Sequence, residues 1–433
     1  MHRWVGLAGT TALALGGVGG AGALPLAAGV RHPSVGLFAA YFGLVLLIGA
    51  WWRLGREVRS EEPPSCRELL VTLAVWAGPL VLAPPLFSRD VYSYLAQGAM
   101  VHAHIDVYAY GPDRLGGPLA AEVAPVWQTT PAPYGPVFLG LAAALAPAGI
   151  TGMRLVALAG VGLMIGLLPV LARRCGVPPA AALWLGGLNP LVLLHLIAGA
   201  HNDAIMLGLL AAGMVTALGG WFVCAAALVT LAALVKAPAA LGLLVVASLW
   251  SGRLRGRWRT ARATLYAAAV AGAVTVAVTS FTGTGYGWLG ALGTPAASYT
   301  WSLTTTLGRL TGALEFWRWL GLAAAGGVML YAWRRRLRLG PVYALGISLA
   351  AIALLGPAIR PWYVLWGCFL IAAAAPAPYG RVRRWVAALS AVLTLVVLPS
   401  GFAASGGQLL LAVCGGVAAA VALLCVHRVR PAL

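Results

Sequence analysis

Ten carboxylates and one lysine serve a chain of 433 residues, so the place of each is informative. Glu57, Glu61, Glu62 and Glu68 lie among arginines beside Pro63 and Pro64, the pattern of a solvated charged linker. Asp106, Asp113 and Glu122 share the stretch 88–135 with Asp90, and Glu315 sits near Arg318. Asp90 is the carboxylate to single out. The apolar run 69–87 leads into Phe87-Ser88-Arg89-Asp90 and continues as VYSYLAQGAM, an amphipathic helix signature. Ser88 reads as the N-cap and Asp90 as a first-turn acid, which the helix dipole favours. A dipole role accounts for Asp90 without catalysis; a general base is the other reading. His201-Asn202-Asp203 places three polar side chains in a row between two apolar runs. Asp203 can cap the following helix, but a cap needs only one of the three.

Lys236 interrupts the apolar stretch 221–250, and Arg360 stands in GPAIRPWYVLW beside Trp362 and Tyr363. With Arg89 they make a set of cations suited to an anionic phosphodiester. The segment that follows Asp90 is rich in Tyr, Trp, Pro and Gly, an ordered surface rather than a loose linker. Trp127, Tyr108 and Tyr134 offer flat faces that suit the C–H faces of sugars, although such rings also anchor proteins at lipid interfaces. The six cysteines are scattered with no C-x-x-C, so neither a disulfide framework nor a zinc site is indicated.

The elements that position these residues are membrane helices. The chain is 61% hydrophobic and 9% charged, too apolar for a soluble domain, with several separate runs near the roughly 20 residues that cross a bilayer. The runs are apolar all round, which excludes an outer-membrane barrel with its alternating strands. The reading is an all-α, polytopic transmembrane bundle of about 12–14 spans, one integral domain over 1–433. The net charge of +19 comes from short arginine clusters between the runs, which positive-inside topology and membrane lipids explain without a nucleic acid.

Placing those clusters in the cytoplasm gives fourteen runs, near 5–24, 35–52, 69–87, 153–172, 179–199, 204–218, 221–235, 237–250, 263–281, 317–333, 341–356, 362–375, 386–402 and 407–426, with both termini inside. The run 136–149, bounded by Pro136 and Pro147, fits a re-entrant or half helix instead. Segments 88–135, 201–203 and 356–363 then share the outer face, joined by the loop 282–316.

SRDVYSYLAQG (88–98), VWQTTPAPYGP (126–136), AGAHNDAIM (198–206) and RPWYVLW (360–366) together resemble the actinobacterial polyprenol-phosphomannose-dependent α-1,6-mannosyltransferases of the glycosyltransferase-C superfamily. The likeness covers most of the chain in order; the chain is short for that family, and the family's Asp-Pro-Tyr element stands here as Asp106-Val107-Tyr108. The resemblance implies inverting transfer of mannose from polyprenyl-phosphate mannose to an α-1,6-mannan acceptor of lipomannan and lipoarabinomannan, on the outer face of the plasma membrane. It puts the family's loop carboxylate on Asp90, as general base or acceptor-binding residue, and calls for no metal or other cofactor. Beside it, Arg89, Lys236 and Arg360 are expected to hold the donor phosphate. Tyr92, Tyr94, Trp127, Tyr134, His201, Asn202, Asp203, Trp362 and Tyr363 are expected to meet sugar or acceptor. The rival readings are a transporter or flippase for a lipid-linked sugar, and a lipid-phosphate-sugar transferase with another sugar. Ionisable residues gathered at one face favour the transferase over a translocation path.

Overall fold

The computed structural model describes residues 1–25, 33–296, 302–376, 380–397 and 405–428. It is 80% helical, with no strand among the described residues. Each of the fourteen apolar runs contains helix. The end of the run 386–402, part of the loop 282–316 and Arg430 lie outside the described residues.

Local chemistry sets several boundaries. Ser65 starts the helix Cys66–Leu82 through a capping box, its hydroxyl accepting from the Glu68 N–H at 3.2 Å while the Glu68 carboxylate accepts from the Ser65 N–H at 2.8 Å. Glu68, read from sequence as part of a solvated linker, therefore also caps a helix. Asn189 and Pro190 break the run 179–199 into Pro179–Gly187 and Val192–Ala198, bent by 63°. The Asn189 amide replaces hydrogen bonds lost at the break, donating to the Leu185 carbonyl at 3.1 Å and accepting from the Leu191 N–H at 3.0 Å.

Among the described residues, five helices are long and apolar enough to cross a bilayer by themselves: His2–Ala21, Val35–Glu57, Pro136–Arg174, Arg259–Thr282 and Gly406–Cys425. The third is composite. Pro136–Leu145 ends in a tight turn, Ala146–Ala148, and Gly149 at φ +58° before the helix Gly149–Arg174 begins. The ten residues of Pro136–Leu145 rise about 15 Å, half the hydrocarbon thickness.

The centre of the bundle is the bent run 183–198, the helix Asp203–Leu218 and the helix Leu365–Ala374, whose apolar side chains are almost wholly buried in one continuous core. Close approach of small residues lets these helices pack where lipid offers no hydrophobic drive. A Cβ on Gly208 would lie 2.6 Å from the Gly160 carbonyl, so the helix Gly149–Arg174 meets Asp203–Leu218 backbone to backbone. Helices 259–282, 314–334 and 406–428 instead turn Phe281, Trp319 and Val413 outward, the apolar exterior of a lipid-facing surface. The helix Asp203–Leu218 has two unlike ends. Asp203 faces the cavity described below, whereas Val215 near the other end accepts from the guanidinium of Arg174, and 16 residues separate the ends by about 24 Å.

Candidate active site

A cavity of about 540 Å³ opens where the helix Asp90–His102 meets the loops before residues 136, 237 and 361. The helix begins at Asp90 with Arg89 at the cap position, and Ser88 stands one residue ahead, its hydroxyl accepting from the Asp90 N–H at 3.1 Å, the i to i+2 bond that a capping serine makes. The Asp90 side chain keeps 20% of its surface exposed, and it lines the cavity.

Arg89 and Tyr92 act elsewhere than expected. Arg89 is tied to the Glu122 carboxylate, to the Glu122 carbonyl at 2.8 Å and to the Leu24 carbonyl at 3.0 Å, and lies over the Tyr92 ring. The Tyr92 hydroxyl donates to the Ala23 carbonyl at 2.8 Å. Neither lines the cavity; both pin the start of the Asp90 helix to the first loop and to the segment after the first helix. The two residues expected at the donor phosphate and at sugar thus have their polar atoms on backbone carbonyls and Glu122, outside the cavity lining.

The His201-Asn202-Asp203 turn, expected to meet sugar or acceptor, lies one layer behind the cavity, buried and absent from its lining. Asn202 occupies the cap position without a side-chain cap bond, so helix capping does not explain these residues either. His201 Nδ1 is 3.5 Å from the Asp90 carboxylate and 3.3 Å from the Tyr94 hydroxyl, and its ring lies 4.0 Å from that of Trp362. Asp203 accepts twice from Lys236 Nζ, at 2.8 and 3.0 Å, and once from Trp366 Nε1 at 2.5 Å. Tyr94 and Trp362, also expected at sugar, pack against His201 in this layer and do not line the cavity.

What reaches the cavity is Asp90, Trp127, Tyr134, Lys236, Arg360 and Tyr363. Lys236 has extended backbone between the helix Phe222–Ala233 and the turn Ala237–Leu241, and its ammonium lies 4.6 Å from the Tyr363 ring centre and 5.4 Å from that of Trp366. Gly135 permits the approach that brings Tyr134 alongside, because a Cβ there would sit 2.3 Å from the Leu234 carbonyl. Arg360 stands over Trp127 at 5.6 Å. The far wall is apolar, with Ala291, Leu322, Ala325 and Ile352.

Burial raises the Asp90 pKa above the usual carboxylate range, against the opposing pull of Arg360 and Lys236. Burial also pushes His201 down to about 3. The imidazole is thus neutral at working pH, and its contact with Asp90 is polar rather than an ion pair. A neutral ring with its proton on Nδ1 donates toward the carboxylate and helps to orient it.

Sequence reading missed Ser93, Gln97 and Trp366, all of which line the cavity. The spacing of the first two was visible, since Asp90, Ser93 and Gln97 stand at i, i+3 and i+7, one face of a helix. Among the described residues no group of three or more His, Cys, Asp or Glu side chains could hold a metal ion.

Fold and cavity define a polytopic helical membrane protein with one carboxylate and two cations converging on a half-apolar pocket. Residues 3–252 match the family described as alpha-(1->6)-mannopyranosyltransferase, N-terminal domain, and residues 289–425 match the MptB C-terminal domain. A probable alpha-(1->6)-mannopyranosyltransferase of Mycolicibacterium smegmatis is 36% identical, over 94% of this chain and 83% of the relative. One from Mycobacterium tuberculosis is 34% identical over 89% and 80% of the two chains, and alpha-(1->6)-mannopyranosyltransferase B of Corynebacterium glutamicum is 31% identical over 93% and 77%. The chain belongs to the alpha-(1->6)-mannopyranosyltransferase family.

Proposed function

We propose that the protein transfers mannose, with inversion, from polyprenyl-phosphate mannose to an α-1,6-mannan acceptor of lipomannan and lipoarabinomannan. The observation that carries this reading is one cavity holding Asp90, Lys236 and Arg360 beside an apolar wall. A lipid-phosphate sugar is amphipathic, so its enzyme must offer charge and hydrocarbon in the same pocket. The names of the relatives supply mannose and the α-1,6 linkage.

In the proposed reaction an acceptor hydroxyl attacks the anomeric carbon while the bond from that carbon to the phosphate oxygen breaks. Asp90 takes the hydroxyl proton, and the phosphate leaves with the bonding electrons. Lys236 and Arg360 stabilise the charge that develops on it. Burial makes Asp90 a stronger base than an exposed carboxylate and is relieved when it is protonated. Asp203 holds the Lys236 ammonium in place through two of its N–H groups. The two cations meet the charge of the leaving group, so the reaction as drawn uses no metal or cofactor.

The chain is read as one integral unit in the plasma membrane with its termini inside and its cavity outside. Support comes from Arg174 gathering at the end of the helix Asp203–Leu218 opposite to Asp203, because basic ends favour the cytoplasm. Transfer of labelled mannose from synthetic polyprenyl-phosphate mannose to α-1,6-mannobiose by purified protein, with Asp90→Asn alongside, tests the reading. Turnover by the wild type and its loss in the variant are expected. Donor binding with no transfer by the wild type would support a flippase or a different sugar instead.

A further inference from the structure

The cavity contains polar atoms that the reaction described above does not use. Ser93 and Gln97 are each only 4% exposed and both line the cavity, yet Ser93 Oγ and Gln97 Oε1 have no hydrogen-bond partner among the described residues. Buried side-chain oxygens are rarely left unpaired, because each forfeits its hydration, so a native helix that keeps two on one face calls for a physical reason. Both follow Asp90 on the same face, about 4.5 and 10.5 Å further along the helix axis, a length of roughly two pyranose rings. Lys236 and Arg360 come from other segments, so the Asp90 helix itself brings no cation to the cavity.

We propose that Ser93 and Gln97 form a ledge that binds hydroxyl groups of the acceptor mannan, setting which acceptor hydroxyl faces Asp90. The inference rests on the transferase reading and specifies which substrate this helix face receives. One sugar hydroxyl can accept from the Ser93 O–H and a second can donate to Gln97 Oε1, so that two hydroxyls pair both orphaned oxygens. The first acceptor ring then lies beside Asp90 and Ser93 and the next beside Gln97, so the ledge favours a disaccharide over a monosaccharide. The chemistry selects a polyhydroxylated, uncharged ligand, since neither side chain carries charge.

The test compares wild type, Ser93→Ala and Gln97→Met in two measurements: binding of α-1,6-mannobiose by calorimetry without donor, and steady-state transfer with acceptor and donor varied in turn. Each variant is expected to weaken mannobiose binding and to raise the acceptor KM about tenfold, with donor KM changing less than about twofold. Deoxy analogues of mannobiose give a readout that a folding defect does not move. The analogue lacking the hydroxyl that meets Gln97 should bind poorly to the wild type and lose no more in Gln97→Met. Unchanged mannobiose affinity in both variants, or a rise in donor KM in place of acceptor KM, overturns the ledge while leaving the transferase intact. Wild-type protein that binds mannobiose through these residues but transfers no mannose keeps the ledge and sinks the proposed reaction. No mannobiose binding by the wild type refutes the ledge directly.

Discussion

Asp203→Ala strands Lys236 with its charge and without its carboxylate. The pair is sheltered, with the Asp203 side chain fully buried, that of Lys236 12% exposed, and N···O distances of 2.8 and 3.0 Å. Removing one partner of a buried ion pair costs about 3–5 kcal/mol, mainly because the other charge remains in a poor solvent. For a chain of this length about 1 kcal/mol shifts Tm by roughly 1–2 °C, so a fall of about 5 °C is expected. Removing both charges, Asp203→Ala with Lys236→Met, should recover part of that loss, a coupling of about 2–3 kcal/mol. Recovery stays partial because Trp366 Nε1 loses its acceptor in either case.

Function should not follow stability in this cycle. Lys236→Met and the double variant both lack the ammonium and should share a donor KM raised by about tenfold or more, whereas Asp203→Ala keeps the cation and loses only its tether. Intrinsic tryptophan fluorescence on heating, in one detergent, reports Tm, and steady-state transfer reports donor KM. Additive Tm losses would refute the buried pair. Normal donor KM in the double variant would remove Lys236 from the phosphate site.

Asp90→Asn should cut transfer by about 10²–10⁴-fold, the range for a lost general base. Because the folded pKa of Asp90 is raised, the fold binds that proton more tightly than the unfolded chain, and the contribution to stability falls as pH rises through the folded value. Asp90→Asn should therefore equal or exceed wild type in Tm at neutral pH, and a large loss would contradict the burial argument. The acid limb of wild-type kcat/KM should lie above the ordinary carboxylate range, and His201, held at about 3, should add no ionisation near neutrality; a second ionisation that His201→Gln removes would argue against this. Arg89→Ala should lower Tm by removing its bonds to Glu122 and the Leu24 carbonyl while Arg360→Ala chiefly raises donor KM; the reverse pattern would place Arg89 at the phosphate site.

Much of the scaffold was legible because lipid imposes a simple rule: apolar runs become helices, and each predicted run contains one. The break at Asn189-Pro190 and the helix start at Pro136 also carry their signal in proline. The layering of the site was not legible. Arg89 and Asp90 are neighbours in sequence, yet one joins the fold and the other the cavity, because Glu122 and the Leu24 carbonyl capture the guanidinium from distant segments. Asp203 looked like a ligand or a cap and is a counter-ion, a role set by Lys236, 33 residues away in the chain. Ser93 and Gln97 had visible helical spacing, but nothing in a sequence marks a buried hydroxyl or amide as unpartnered.

The position of the Asp90 carboxylate is fixed by tertiary contact more than by local preference. Its helix lies between two non-glycine residues in the left-handed region, Phe87 at φ 57° and His104 at φ 54°, and the turn that presents His201 begins with a third, Ala200 at φ 51°. Such backbone costs on the order of 1–3 kcal/mol each and persists only where the surroundings over-determine it. The surroundings do so here: Arg89 and Tyr92 tie down the start of the helix, and His102 Nε2 meets the Ala143 carbonyl at 2.6 Å near its end. Between them Gly98 lets the Ala142 carbonyl come within 2.4 Å of where a Cβ would stand. A carboxylate held this way need not be gathered anew for each turnover of the proposed reaction. In the proposed reaction, positioning of two bound sugars against that fixed carboxylate then supplies much of the rate, because a single displacement depends on the geometry of its two reacting partners.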